Sequence, residues 1–229
     1  MNKSSREKIL TRIRTGLYGS TGVHQQKEIT RKSTGISAEP TMEKSILVNQ
    51  FVEELTKVSG NAKIVESEDA VKDFIMSFVE ERGISSFAIW KSELIQRLEI
   101  GDDLQSKGLK LAHPDKKEEM SNAGIGITEA DFAIADTGTI VLIAGEKQPR
   151  TVSLIPPIHL AIVKSSLILR NINDLFAMLV NLISEKNSTE ESTSCLTFIT
   201  GPSRTADIEL NLTLGVHGPR ELFVLILAQ

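Results

Sequence analysis

Cysteine is almost absent from this chain of 229 residues, because Cys195 is the only one in the sequence. A single thiol cannot form an internal disulfide, and no Cys/His pairs stand at metal-ligand spacing. A self-contained iron–sulfur cluster and a structural zinc site are therefore excluded, and a reducing compartment is expected. Long apolar runs are missing too: none approaches the ~20 residues of a membrane helix, and the N-terminus lacks the apolar core of a secretory signal. These absences predict a soluble, cytoplasmic protein.

Sequence motifs for common cofactors are also missing. The stretch GIGITEA (124–130) is not a Gly-x-Gly-x-x-Gly fingerprint and follows no clear strand. No Gly-rich loop ends in Lys-Ser/Thr, no serine lies in a Gly-x-Ser-x-Gly elbow, and no His/Glu group has metal-ligand spacing. The sequence therefore predicts no NAD, ATP or metal site in this chain.

Charge is distributed unevenly along the sequence. Residues 1–40 carry eight Lys/Arg against three Glu, a net of +5, so the remainder must carry −9 to give the net −4 of the whole chain. This basic arm has one aromatic, Tyr18, and no dense cationic run, so a short solvated helix with a flexible linker is favoured over nucleic-acid binding or a transit peptide. We expect two parts: residues 1–40 as helix and linker, and residues 41–229 as one folded domain.

Helix-like and strand-like segments alternate in the first half of the folded part. Apolar residues recur near helical spacing in the amphipathic segments, for which Gly60 and Gly83 are the expected terminators, whereas the strands are short apolar runs. The expected helices are 42–60, 67–83 and 91–98, and the expected strands are 62–66 and 85–90. Such alternation requires crossover connections, so it predicts a largely parallel sheet covered on both faces.

The second half begins with a predicted β-hairpin, in which ADFAIA (130–135) and TIVLIA (139–144) flank a tight turn. Further strand is expected over 151–170, broken by Pro156 and Pro157. A helix is expected over 171–187, capped by Asn171 or Asn173. Its predicted buried stripe consists of Leu175, Met178, Leu179, Leu182 and Ile183.

The segment TGPSRTADIELNLTLGVHGPREL (200–222) concentrates Gly, Pro, Arg, His and carboxylates between two apolar runs, LTFIT (196–200) and LFVLILA (222–228), which are expected to be buried strands. Within it, SRTADIE (203–209) has the hydroxyls and carboxylate of a helix start, but residues 208–214 alternate like a strand. A helix would aim backbone N–H groups at an anion beside Arg204, whereas a strand would place Asp207 and Glu209 on one polar face.

Four motifs of the second half together resemble the LUD-domain family: ADTGTIVL (135–142), PPIHLAIV (156–163), GPSRTADIE (201–209) and GVHGPREL (215–222). The resemblance implies an α/β three-layer sandwich with a mixed, largely parallel sheet, similar to the sugar-isomerase and CoA-transferase superfamily. It favours a helical turn after Ser203. It also implies a role in the use of L-lactate, which bacteria oxidise to pyruvate with three proteins, of which the other two are expected to bring the iron–sulfur clusters. No cofactor is evident in this chain itself.

Lactate chemistry requires a cation for the carboxylate and a base for the hydroxyl. Arg204, Arg220 and Arg150 are the candidate carboxylate or phosphate ligands. The alternative for each is a surface or structural residue, and Arg220 is the weaker candidate than Arg204 because Glu221 or another carboxylate would neutralise it. His217 and His159 are the candidate acid–base groups, because imidazole titrates near neutral pH; the alternative is a core or turn histidine.

The remaining candidates would contact the ligand through hydroxyls or backbone amides, or would orient a residue that contacts it. Asp207 and Glu209 would orient an arginine or histidine, or form structural salt bridges. The ADTGT turn is either an anion-binding turn or a bare hairpin. The ligand-binding candidates, besides Arg204 and Arg220, are Thr137, Gly138, Thr139, Ser203, Thr205, Asp207, Glu209 and Gly218.

Three functions remain open. In the favoured one, the chain is a component of a lactate-oxidising system that binds a small anionic ligand, such as lactate or a phosphate compound, and associates with iron–sulfur proteins. The second is a free-standing small-molecule enzyme of the isomerase or CoA-transferase type, which rests on fold analogy. The third is a non-catalytic anion sensor or assembly factor.

Overall fold

A six-stranded parallel sheet forms the centre of the structure, a computed structural model that describes residues 40–186, 195–206, 212–215 and 217–228. In chain order the strands are β1 (Asn61–Val65), β2 (Ser86–Ile89), β3 (Lys110–Leu111), β4 (Ile125–Glu129), β5 (Phe132–Ile134), β6 (Thr139–Ala144), β7 (Ile158–Lys164), β8 (Ile168–Leu169), β9 (Cys195–Ile199), β10 (Arg204–Ala206), β11 (Leu212–Leu214) and β12 (Glu221–Leu227). The helices are α1 (Pro40–Lys57), α2 (Glu68–Glu81), α3 (Glu93–Arg97), α4 (Ile100–Ser106), α5 (Lys117–Ser121), α6 (Thr151–Leu154) and α7 (Ile172–Lys186), with a 3-10 turn at Ser165–Leu167.

The strand order of the central sheet is β1-β12-β7-β4-β2-β3, and all five pairings are parallel. Two neighbouring interior strands, β7 and β12, are mostly apolar, as expected of a sheet that helices flank. The main core joins Phe51 and Leu55 of α1, Ile75 of α2 and the buried residues of these strands. The predicted α/β class with a largely parallel sheet is therefore confirmed.

A second, four-stranded sheet has the order β8-β5-β6-β9 and contains both parallel and antiparallel pairs. The predicted hairpin is its β5–β6 pair, and Gly138 in its turn has a φ of 60°. A Cβ on Gly138 would overlap the backbone of α1 at Leu55, so both the conformation and the packing require glycine. Leu175 and Leu179 of α7 pack on this sheet, but Met178, expected in the same stripe, is 40% exposed.

The ends of α2 and α7 agree with those predicted from the sequence, whereas the end of α1 differs in detail. Ser67 caps α2 by accepting from the backbone N–H of Ala70 (3.1 Å), and Asn171, rather than Asn173, caps α7 by accepting from two backbone N–H groups. At the end of α1 it is Ser59, not Gly60, that adopts the left-handed conformation, with φ of 64°. Gly60 is needed because a Cβ would overlap the Leu55 side chain.

Two predicted strands are wrong in detail. The residues before the two prolines form the short helix α6, and the strand begins only at Ile158, directly after Pro157. The run 196–200 does form a strand, β9, which ends at Ile199, but the expected burial is wrong: β9 lies at one edge of the second sheet, and Phe198 is 41% exposed there.

The polar segment after β9 is extended rather than helical. Arg204–Ala206 pairs antiparallel with Leu212–Leu214, so the helical turn expected after Ser203 is wrong. The apolar alternation that ends at Leu212 and Leu214 outweighs the helix-start residues. Asp207 and Glu209 lie outside the described residues, as do residues 1–39 with the predicted basic arm and linker.

Candidate functional site

A cleft opens at the amino-terminal ends of β7 and β12, with a volume of about 240 Å³. Three separate parts of the chain form it: α6 with the start of β7, the end of β9 with the residues after it, and the residues before and within β12. The lining residues are Ser153, Leu154, His159, Thr197, Phe198, Ile199, Thr200, Gly201, Pro202, Ser203, His217, Gly218, Pro219 and Leu222. The volume is below the ~300–1,000 Å³ of pockets for drug-sized ligands, so the cleft suits a small molecule rather than a dinucleotide.

Backbone hydrogen bonds hold the walls of the cleft together. The N–H of Ser203 donates to the carbonyl of Pro219 (2.8 Å), and the N–H of Gly215 donates to the carbonyl of Ser203 (2.9 Å). The N–H of Arg220 donates to the carbonyl of Pro157 just before β7 (2.8 Å). These backbone hydrogen bonds fix the shape of the cleft and attach its polar wall to the central sheet.

The floor of the cleft is a row of residues on one face of the central sheet. His159 of β7 is in register with Gly126 of β4 on one side and Leu222 of β12 on the other. A Cβ on Gly126 would overlap the carbonyl oxygen of Val152 in α6. The missing side chain at Gly126 thus lets the backbone of α6 lie directly on the sheet, which brings Ser153 to the wall beside the histidine.

His159 is a buried polar residue, 1% exposed, whose two ring nitrogens have different surroundings. Nε2 shares a hydrogen bond of 2.9 Å with the hydroxyl of Thr128, whereas Nδ1 has no hydrogen-bond partner among the described residues. Burial lowers the pKa of His159 to about 3, so the ring is neutral near pH 7. The neutral ring therefore keeps Nδ1 for a further hydrogen bond, and it does not change its charge near neutrality, so the expected acid–base role of His159 is not supported.

A chain of three hydroxyl groups leads from the β5–β6 turn into the cleft. The Oγ1 atoms of Thr137 and Thr139 are 2.7 Å apart, and Thr139 Oγ1 is 2.7 Å from that of Thr200, which lines the cleft. Each hydroxyl has one proton, so the two hydrogen bonds use two protons and the third is left free. Thr137, Gly138 and Thr139 themselves lie outside the lining, and Gly138 packs against α1.

His217, Ser203 and Gly218 form the outer part of the cleft, which we call its mouth. His217 is exposed, and Ser203 is half-buried. A Cβ on Gly218 would lie 3.1 Å from the Cβ of Ser203, so this glycine brings the two lining segments close together. The structure therefore places His159 on the floor and His217 at the mouth of one cleft.

The candidate arginines are not among the residues that line the cleft. Arg204 is exposed and donates through Nη2 to the hydroxyl of Ser59 (2.6 Å), and Arg220 packs its side chain against Gly215. Glu221, expected to neutralise Arg220, instead accepts two hydrogen bonds of 3.0 Å from Nη1 of Arg82. Among the described lining residues there is no Lys or Arg. The side chain of Thr205 is outside the described part.

Several cleft residues were not found from the sequence, namely Thr128, which supports the floor, and Ser153, Thr197 and Thr200, which line the walls. Gly126 and Thr128 share one face of β4 at the strand's two-residue period, which is a signal present in GIGITEA. The register of this strand against His159 depends on the fold and cannot be read from one sequence.

No group of three or more His, Cys, Asp or Glu side chains is arranged to hold a metal ion within the part of the chain that the structure covers. In the same part, no helix combines the length and the apolar character that crossing a membrane would take.

Comparison with known proteins identifies the family. The family model of the LUD domain matches residues 48–227. Lactate utilization protein C of Halalkalibacterium halodurans is 33% identical over 177 residues, which cover 76% of this chain and 75% of that protein. Lactate utilization protein C of a Geobacillus species is 42% identical over 97 residues, covering 42% of this chain and 39% of that protein.

The fold also has a counterpart among solved structures. The crystal structure of a DUF162 family protein from Deinococcus radiodurans matches with a TM-score of 0.57 and 19% identity, covering 81% of this chain and 98% of that chain. At this identity the match supports the fold alone. The extent of the family match and the identity to the Halalkalibacterium protein together show that the chain belongs to the LUD-domain family.

Proposed function

We propose that this protein serves L-lactate utilisation, binding a small monocarboxylate in the cleft and associating with iron–sulfur oxidoreductase partners. The names of its relatives support the lactate-utilisation role. The observation that carries the ligand proposal is the cleft itself, because it is small, pinned by backbone hydrogen bonds and lined by hydroxyl and imidazole groups.

The composition of the cleft favours a singly charged ligand over a phosphate compound. Phosphates are usually held by guanidinium or ammonium groups, and neither occurs among the described lining residues. A monocarboxylate requires fewer charged partners, because the hydroxyls of Ser203 and Thr200 and a ring N–H of His217 can all donate hydrogen bonds to it. Lactate and pyruvate are ligands of this size and charge.

The partner proposal follows from the electrons that lactate oxidation releases. Two electrons leave the substrate for each pyruvate formed, and an acceptor has to take them. A cubane or two-iron cluster usually requires four cysteine thiolates, whereas the sequence has only Cys195. Iron–sulfur proteins that associate with this chain would supply the acceptor.

The experiment is a pull-down of the tagged full-length chain from cells grown on L-lactate, followed by a lactate:acceptor oxidoreductase assay of the eluate. We expect iron–sulfur proteins to co-elute with activity, and removal of this chain from the eluate to abolish it. The matched control is Ser203→Ala with His217→Asn, which should retain the partners but lose activity. A wild-type chain that elutes alone, and neither binds nor turns over lactate, would overturn the proposal. Turnover without partners would instead favour a free-standing enzyme.

A further inference from the structure

The floor of the cleft holds an unused hydrogen-bonding position. His159 lines the cleft, whereas Thr128, whose hydroxyl shares a hydrogen bond with Nε2 of His159, is not among the lining residues. The other ring nitrogen, Nδ1, is buried and without a partner among the described residues. Leaving a buried polar atom unsatisfied is costly, and the large majority of buried side-chain polar atoms in folded proteins have a hydrogen-bond partner. A ligand in the cleft is the group that would satisfy it.

The cleft changes from a buried, apolar floor to an exposed mouth. In the wall beside the floor, the hydroxyl of Ser153 already donates to the carbonyl of Arg150 (3.0 Å), and the imidazole of His159 is enclosed by strands whose neighbouring residues, Leu160 and Leu222, are apolar. At the mouth, His217 is the titratable side chain among the described lining residues other than His159. A carboxylate would be desolvated at the floor without a counter-charge, so it belongs at the mouth.

We propose that His159 is a binding residue that recognises the hydroxyl or keto oxygen on the α-carbon of a small 2-hydroxy or 2-oxo monocarboxylate through Nδ1, with the ligand's carboxylate directed to the mouth. This deepens the proposed function and rests on it. Thr128 positions the ring by holding Nε2. The cleft then selects acids with an α-oxygen over those without one, because a ligand lacking that oxygen leaves Nδ1 unpartnered.

The test is a titration of the full-length chain, with histidines labelled with ¹⁵N, against L-lactate, pyruvate and propionate, followed by NMR. We expect lactate and pyruvate to bind at least about tenfold more tightly than propionate and to shift the Nδ1 resonance of His159. The ring nitrogens report the contact directly, so this readout does not depend on any variant folding.

Two variants separate the ring nitrogens. In His159→Gln the amide reaches the position of Nε2 and retains the Thr128 contact but loses Nδ1, so discrimination against propionate should fall to within about twofold. In His159→Asn the amide stands near Nδ1 and should retain part of the discrimination. The exposed, surface-turn His113 provides a control, because His113→Gln should leave all three affinities unchanged.

The outcomes distinguish the two proposals. If lactate or pyruvate binds but the Nδ1 resonance stays in place, or if propionate binds equally well, the role of His159 is refuted and the monocarboxylate site stands. If none of the three acids binds the wild-type chain, the ligand part of the proposed function fails, and this inference fails with it.

Discussion

The carbonyl oxygen of Val152 occupies the position where a side chain on Gly126 would begin, so helix α6 rests directly on strand β4. The contact is between two backbones, neither of which can move aside as a flexible side chain would. It sets the position of Ser153 next to His159 and so determines one wall of the cleft. The role of Gly126 is therefore close packing, without any need for an unusual backbone angle.

Gly126→Ala is expected to destabilise the protein by about 3 kcal/mol, at the upper end of overpacking costs, because the clash is with backbone. The free energy of unfolding in urea measures this. Gly101→Ala is the matched control: Gly101 lies in α4, and its added Cβ would have only Ile89 as a neighbour, at 4.0 Å. That change should be neutral or stabilise by up to about 1 kcal/mol. Equal effects of the two substitutions would contradict the packing role of Gly126.

Stability should depend on pH through His159. Its pKa in the folded state is lowered by burial to about 3, against an ordinary value near 6.5, so between these values the unfolded chain binds more protons. Stability is therefore complete above about pH 6.5 and falls as the pH is lowered, with a slope approaching about 1.4 kcal/mol per pH unit. Urea unfolding from pH 7.5 to pH 4.5 measures the slope. The difference between the wild type and His159→Gln should grow smaller or reverse as the pH falls; a constant difference would show that this ring is not the cause.

Arg204→Ala should leave the affinity for lactate and pyruvate unchanged within about twofold, because Arg204 donates to Ser59 and does not line the cleft. Both partners are exposed, so the coupling free energy in a double-mutant cycle with Ser59→Ala should be less than about 1 kcal/mol. Calorimetric titration and urea unfolding are the two measurements. A loss of affinity of tenfold or more would return Arg204 to the binding site.

Short sequence patterns predict the helices and strands whose conformation is determined by neighbouring residues. The β5–β6 hairpin follows from two apolar runs around Gly138, and α2 follows from its helical spacing and its terminating Gly83. The helix α6 was missed because a strand was favoured before the prolines, whereas packing on Gly126 decides its conformation. Tertiary contacts of this kind leave no mark in a short window of sequence.

The candidate site was only partly predictable for the same reason. His159, Ser203, His217 and Gly218 were named from their motifs and do line one cleft. A sequence does not show in which direction a side chain points. Arg204 was therefore expected to contact a ligand, whereas in the structure it contacts Ser59 at the end of α1. Thr128 contacts His159, which is 31 residues away in the sequence, and Thr200 contacts Thr139, which is 61 residues away. Only the fold brings these hydroxyl groups to their partners.

The hydroxyl chain provides a last prediction. Thr139 is buried, 4% exposed, and its hydroxyl is hydrogen-bonded to both Thr137 and Thr200. Thr139→Val keeps the shape of the side chain but removes both bonds, which should lower the free energy of unfolding by about 1–2 kcal/mol. Thr200→Val should cost less stability, because Thr200 is exposed and Thr139 keeps its bond to Thr137, yet it removes the hydroxyl that reaches the cleft. Urea unfolding should therefore show the larger loss of stability for Thr139→Val, and pyruvate titration should show the larger loss of affinity for Thr200→Val. If Thr139→Val were the more affected variant in both measurements, the hydroxyl chain would stabilise the hairpin without contributing to ligand binding.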